Sequence, residues 1–194
     1  MTEFLTLTAA FLAAAVRVAT PLLFAATGET IAERSGVINL GIEGTMLAGA
    51  LAAAIGAVAG GPWMGLVCAA LAGMVLAAVF ALLAIGARAD QIITGTAITL
   101  AAIGLTGTIY RQAFGAGGAG LSIPTFGTLS IPGLSRIPVL GPALFQQPAP
   151  TYLAFAALPL VWWVLFRTRL GLSLRATGEA AAMARAAGVR TRLI

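Results

Sequence analysis

From Gly44 to Ala87 the chain carries no Asp, Glu, Lys, Arg or His. A helix needs about 20 apolar residues to cross the hydrocarbon core of a bilayer, so this single run is long enough to cross twice. Gly60-Gly61-Pro62 divides it into a hairpin. Composition points the same way: hydrophobic residues make up 60%, charged residues 9%, and the mean hydropathy is +1.01. A soluble domain carries about 25% charged residues, far more than this chain has to dress a water-facing surface. The fold class is therefore all-α, a polytopic integral membrane protein with about five transmembrane helices.

The uncharged runs place those spans at about Phe4–Thr27, Val37–Ala59, Trp63–Ile85, Gln91–Tyr110 and Tyr152–Phe166. The first contains Arg17 and Pro21; the last ends with Trp162 and Trp163 as interfacial anchors. The chain's net charge of +5 comes from eleven Arg and no Lys. If the Arg34 and Arg88 loops and the tail from Arg167 face the cytoplasm, Arg34, Arg88, Arg167, Arg169, Arg175, Arg185, Arg190 and Arg192 lie inside. Only Arg111 and Arg136 then lie outside, as the positive-inside rule requires. This orientation puts the C-terminus in the cytoplasm and the N-terminus outside. No cleavable signal peptide is expected, because Glu3 stands where a basic segment would and Arg17 interrupts the apolar stretch.

Several chemistries are excluded. There is no His and one Cys, Cys68, so neither a disulfide nor the usual zinc spacing exists, and no Ser-His-Asp or Cys-His pair can form. No catalytic residue and no metal ligand set is expected. The positive charge reads as cytoplasmic loops and not as a nucleic-acid surface.

Between Arg111 and Pro150 the chain is rich in Gly and Pro, and six of the nine prolines fall between Leu121 and Pro150. Proline has no backbone donor, so this stretch is no regular span. It is expected to be an extracytoplasmic loop (111–150), either a passive cap or a docking surface or lid. Elsewhere, small-xxx-small pairs such as Gly56/Gly60 and Gly61/Gly65 predict closely packed spans.

Polar groups inside a membrane segment are costly and so carry information. Glu29, Glu33 and Glu43 cluster around Arg34 and Asn39. Asn39 and Glu43, four residues apart, would share a helical face within the second span. They either line a permeation path or, for Glu43, sit shallow beside Arg34. Gly36, Gly41 and Gly44 would also permit a broken helix there. Arg17 is expected to pair with a carboxylate such as Glu29 or Glu43. Gln91, Thr94 and Thr99 make a faintly polar stripe on the next span.

The tail is legible as a helix from Glu179 to Ala187, with an acid in its first turn, Arg185 late and Gly188 as the residue just past its end. A face of Ala180, Ala184 and Ala187 would let a partner's groove close over it. Arg167 and Arg169 already suffice to stop transfer, so a cytoplasmic docking helix is the expectation.

Four blocks carry a family resemblance. They are Arg17-Val18-Ala19-Thr20-Pro21-Leu22-Leu23, Glu33-Arg34-Ser35-Gly36-Val37-Ile38-Asn39-Leu40-Gly41-Ile42-Glu43-Gly44, Gln91-Ile92-Ile93-Thr94-Gly95, and Gly171-Leu172-Ser173-Leu174-Arg175-Ala176-Thr177-Gly178-Glu179. Through them the chain resembles the permease subunits of bacterial ATP-binding cassette (ABC) importers that handle nucleosides, sugars and branched-chain amino acids. The second block, and the loop from Leu129 to Pro142, are most similar to the nucleoside-type branch, although that branch often has Asn where this chain has Thr99.

The resemblance implies a permease domain over 1–194 that is the N-terminal part of a larger family domain, since family members continue through several more spans. It implies a cytoplasmic coupling segment (167–194) in which Arg175, Gly178, Glu179, Ala180, Ala184 and Gly188 contact an ATPase. It implies a substrate pathway that Asn39, Glu43, Gln91, Thr94 and Thr99 would line. The implied partners are cytoplasmic ATP-binding subunits, a second permease subunit, a periplasmic or lipid-anchored substrate-binding protein and the lipid bilayer of the inner membrane. ATP would be used by the partner, with no cofactor on this chain. The implied function is inward movement of nucleosides, with sugars or branched-chain amino acids as the alternative. A stand-alone channel or secondary transporter, using Glu43, is the rival class; the docking helix and the lack of acids in the span from Gln91 stand against it.

Overall fold

The computed structural model describes residues 2–115 and 122–191. Helix α1 spans Thr2–Arg34, α2 Ile42–Gly60, α3 Pro62–Ala81, and α4 Gln91–Phe114. A short strand β1 (Thr128–Ser130), helix α5 (Leu140–Leu144) and strand β2 (Gln146–Pro148) follow, then α6 (Ala149–Arg167) and α7 (Arg169–Ala186). Among the described residues five segments are long and apolar enough to cross a membrane, and they match the five expected spans: Glu3–Arg34, Ile42–Gly60, Pro62–Gly86, Gln91–Phe114 and Ala149–Arg167. The chain divides into two compact units, one of Met1–Ile31 with Phe126–Leu172, the other of Ala32–Thr125 with Ser173–Ile194.

In the first unit, α1 runs unbroken through Pro21 for 33 residues, about 50 Å at 1.5 Å per residue. Pro21 cannot donate to the carbonyl of Arg17. The Thr20 hydroxyl bonds back to Val16 O at 2.9 Å, and Thr8, Thr27 and Thr30 bond back in the same i−4 pattern. Such bonds let a hydroxyl lie in an apolar segment without an outside partner. Thr20 also meets the hydroxyl of Thr151 on α6 at 3.0 Å.

The Gly- and Pro-rich stretch is an ordered cap where it is described. Strands β1 and β2 pair antiparallel, Thr128 with Pro148 and Ser130 with Gln146. Its anchor is Gln147, which is 0% exposed. The Gln147 Nε2 donates to Ala143 O at 2.7 Å and to Pro142 O and Ala13 O at 3.3 Å. The Tyr152 hydroxyl accepts from Gln147 N at 3.2 Å and donates to Leu129 O at 3.0 Å. One buried glutamine thus ties α5, β2 and α1 together. The helices on either side reach further into this region than expected, to Phe114 and from Ala149.

In the second unit, α2 and α3 form a close hairpin. A Cβ at Gly56 would meet Cys68 Sγ at 2.7 Å, and one at Gly65 would meet Ala53 O at 2.7 Å. The small-xxx-small spacing therefore brings backbones together, as close packing in lipid demands. Helix α3 ends in a π-turn, Leu82–Gly86, after which Arg88 takes φ 57°. Asp90 then caps α4, its side chain accepting from Ile92 N and Ile93 N at 2.9 and 3.0 Å. Phe80, Ala84 and Ile98 make the apolar cluster of this unit, with Val37 and Leu76 packed on it.

The large apolar side chains on the span surfaces, among them Phe11, Val67, Val75, Leu100 and Leu160, remain exposed. In water such surface would be prohibitive; against lipid or other spans it is the expected state. Of the arginines used to set orientation, Arg192 and the Arg136 side chain lie outside the described residues.

Candidate transport and coupling sites

The polar stretch expected to open the second span is not a helix, and the apolar span there begins only at Ile42. Helix α1 ends in a Schellman closure, in which Gly36 at φ 87° lets Gly36 N bond Glu33 O at 3.0 Å and Val37 N bond Ala32 O at 3.2 Å. The chain then runs irregularly until α2 begins at Ile42. Asn39 therefore lies ahead of α2, and the expectation that it shares a helical face with Glu43 is corrected. The cause is local: Gly36 ends one helix, and Asn39 Oδ1 accepts from Gly41 N at 2.8 Å, a side-chain turn that competes with helix. The glycines that permitted a broken helix produce one.

This broken segment is fastened to α4 through main-chain atoms. Ile38 N donates to Gln91 Oε1 at 2.9 Å. A Cβ at Gly95 would lie 2.8 Å from Gly41 N and 2.9 Å from Leu40 N. A Cβ at Gly44 would lie 2.7 Å from the Thr99 Cα. The Thr99 hydroxyl points at Leu40 O, at a long 3.5 Å. Of the five expected pathway residues, Asn39, Gln91 and Thr99 thus meet along this seam. Buried Thr94 bonds to Asp90 O at 2.7 Å on its own helix. Glu43 is exposed in the first turn of α2, where a carboxylate suits the positive end of the helix.

Arg17 is exposed on α1. Its expected pairing with Glu29 is corrected: both lie on the one helix, 12 residues apart, which is about 18 Å along the axis.

The tail is helical earlier than its sequence suggested. Thr168 starts α7, its hydroxyl accepting from Gly171 N at 3.2 Å and donating to Val164 O at 2.6 Å. A Cβ at Gly171 would lie 2.5 Å from the Leu165 carbonyl carbon, so only glycine lets α7 fold back this sharply against α6. Within α7, Ala180 is non-helical at φ −155°, ψ 78°. Glu179 therefore closes the stretch before the kink and does not open the short helix, which is a correction. The short helix that follows ends as expected, with Gly188 at φ 88° bonding Arg185 O and Val189 N bonding Ala184 O, both at 3.0 Å.

A second correction concerns its face. Ala184 is 5% exposed, covered by the chain itself, whereas Met183 is 76% exposed. Ala181, Ala182, Arg185 and Ala186 are exposed beside it. Of the expected face, Ala184 is turned inward while Ala187 is exposed, and Ala181, Ala182, Met183 and Arg185 are exposed with it.

Sequence reasoning passed over Asp90, Gln147 and the Thr20–Thr151 pair. Asp90 stands immediately before an apolar run, which is a helix-start signal. Gln147 and the threonine pair depend on partners more than 130 residues away, and nothing local marks them.

Among the described residues there are thus five apolar spans, a broken segment ahead of the second, and a kinked tail with an exposed small-residue helix. The chain belongs to the family described as branched-chain amino acid transport system / permease component, whose model matches residues 11–194. It is 43% identical over 186 residues to the "Putative glucose ABC transporter permease protein TsgC13" of Haloferax volcanii, covering 93% of this chain and 55% of that protein. It is 37% identical over 171 residues to the guanosine ABC transporter permease protein NupQ of Bacillus subtilis, covering 83% and 53%. It is 36% identical over 170 residues to the nucleoside ABC transporter permease protein NupC of Lactococcus lactis subsp. cremoris, covering 82% and 53%. The chain spans about half the length of these relatives. No solved structure gives a significant match.

Proposed function

We propose that the chain is the N-terminal part of a permease subunit that, with cytoplasmic ATP-binding subunits and a second permease, imports nucleosides by ATP-driven alternating access. The observation that carries this reading is the broken segment from Ser35 to Gly41. It puts non-helical backbone and the polar side chains of Asn39, Gln91 and Thr99 at a seam between apolar spans, the kind of place where transporters handle cargo. The relatives named for guanosine and nucleoside transport support the substrate class.

In this reading the protein lies in the cell's inner membrane with the C-terminus in the cytoplasm. ATP closes the partner subunits, which act on the exposed face of Ala181, Ala182 and Met183. The pathway then rocks between outward-open and inward-open states. Asn39, Gln91, Thr99 and the exposed carboxylate of Glu43 face the substrate during that exchange. The ordered cap between α4 and α6 receives a periplasmic or lipid-anchored delivery protein.

A second substrate class has its own support, because the relative at 43% identity is named for glucose. The two are separated by uptake in cells lacking the gene and complemented with the full-length permease. Labelled guanosine is expected to accumulate, with no competition from excess glucose. Glucose uptake without nucleoside uptake would reverse the assignment, and uptake that persists without ATP hydrolysis would sink the importer reading.

A further inference from the structure

We propose that Gly36 and Gly178 form a main-chain joint through which the kinked tail drives the broken segment, so that Gly178 acts inward on the permease and does not contact the ATPase. This rests on the reading of the chain as an ATP-driven permease and adds the route by which force reaches the seam.

The joint is tight from both sides. A Cβ on Gly36 would lie 3.2 Å from the Gly178 Cα. A Cβ on Gly178 would lie 3.0 Å from Gly36 N and from the Arg34 carbonyl carbon, and would strike the Arg34 oxygen outright. A side chain on Gly178 would part the two stretches of backbone, while one on Gly36 would crowd Gly178 by a few tenths of an ångström and strain a backbone at φ 87°.

Each side of the joint is held. On the α1 side, the Schellman bonds from Gly36 and Val37 fix the direction in which the chain leaves the helix. Beyond it, Val37 packs on the cluster of Phe80, Ala84 and Ile98, and Ile38 is bonded to Gln91. Gly41 then rests on Gly95, and Gly44 on Thr99. On the tail side, Gly178 stands two residues ahead of the kink at Ala180, so the exposed helix beyond the kink turns about a point anchored on α1. Gly36 and Gly178 are themselves exposed, so the joint is held by these main-chain contacts and by the Val37 and Ile38 anchors beyond it. A push on the exposed helix arrives through them at Ile38–Gly41.

The test uses the full-length permease with its ATPase and second permease in lipid nanodiscs, comparing Gly178→Ala and Val37→Ala with the wild type. Two quantities are read: recovery of the ATPase with the permease, and substrate moved per ATP hydrolysed at saturating substrate. Gly178→Ala is expected to keep the ATPase bound while transport per ATP falls about tenfold, within the usual range of coupling between sites. Val37→Ala loosens the far side of the joint without adding bulk, and covers the case in which the alanine at 178 fails to fold. It is expected to lower transport per ATP severalfold while the substrate concentration at half-saturation is unchanged. Loss of the ATPase from Gly178→Ala would show that Gly178 is a contact residue and overturn the joint. So would wild-type transport per ATP in either folded variant, or an effect of Val37→Ala confined to half-saturation. If the wild type itself recovers no ATPase, the functional reading fails first and takes the joint with it.

Discussion

The side-chain amide of Gln147 reaches across 134 positions of sequence to the main-chain carbonyl of Ala13, at 3.3 Å. Both partners are nearly or wholly inaccessible, Gln147 at 0% and Ala13 at 4%. That one side chain also serves the carbonyls of Pro142 and Ala143, so it holds the Gly- and Pro-rich cap to the first span.

Replacing Gln147 with Leu removes the shared donor, above all the 2.7 Å bond to the Ala143 carbonyl. An unsatisfied buried polar group costs about 1–3 kcal/mol, so the purified protein in mild detergent is expected to unfold at a clearly lower temperature. Gln147→Glu, which loses the donor while keeping the shape, is expected to be at least as destabilising. An unchanged melting profile for both would remove Gln147 from its role as the clamp.

Two glycines of α4 make an internal comparison. A Cβ at Gly95 collides with the Gly41 and Leu40 backbone, whereas at Gly104 nothing lies within 4 Å. Gly95→Ala is therefore expected to cost about 1–3 kcal/mol through overpacking. Gly104→Ala is expected to be neutral or to stabilise by up to about 1 kcal/mol, the helix preference of Ala over Gly. Thermal unfolding of the pair measures the difference; equal shifts would mean that the broken segment does not lie on α4 as described.

Asp90 caps α4 through Ile92 N and Ile93 N. Asp90→Ala is expected to cost about 1 kcal/mol, as lost N-caps do, with faster hydrogen exchange confined to the first turn of α4. Asp90→Asn, which retains an acceptor, should recover most of the loss. Equal exchange in all three proteins would count against the cap.

On the tail, the exposed and covered faces separate association from folding. Met183→Asp places a charge on the face proposed for the ATPase and is expected to abolish co-purification with no change in permease yield. Ala184→Leu, on the covered face, is expected to lower the yield instead. Normal ATPase recovery with Met183→Asp would mean that the partner uses another surface.

Much of this was legible in the sequence because membrane spans obey a one-dimensional rule. An uncharged run of sufficient length, such as Gly44–Ala87, can be read without knowing what it touches, and Gly60-Gly61-Pro62 marks its turn without help. Gly188 was equally readable, since a glycine past an Ala-rich helix announces a left-handed closure. Asn39 was harder: four residues from Glu43, it fits a helical face by spacing, and only its bond to Gly41 N and the seating of Gly41 on Gly95 decide against a helix there. Ala180 gave no signal, because alanine is the best helix former and its kink is imposed by what surrounds it. Gln147 and Ala184 were hidden for the same reason, as both owe their burial to the folded chain and not to their neighbours in sequence.

The seam between Gly41 and Gly95 has a consequence for how such a protein can change over generations. The closest contact there is between two residues without side chains, and it exists because neither has a Cβ. Substitutions that leave Gly41, Gly95 and the amides of Asn39 and Gln91 in place therefore keep this contact, whichever neighbouring side chains they alter. Under the proposed function, the choice of cargo and the contact at Gly41 and Gly95 are then separately heritable.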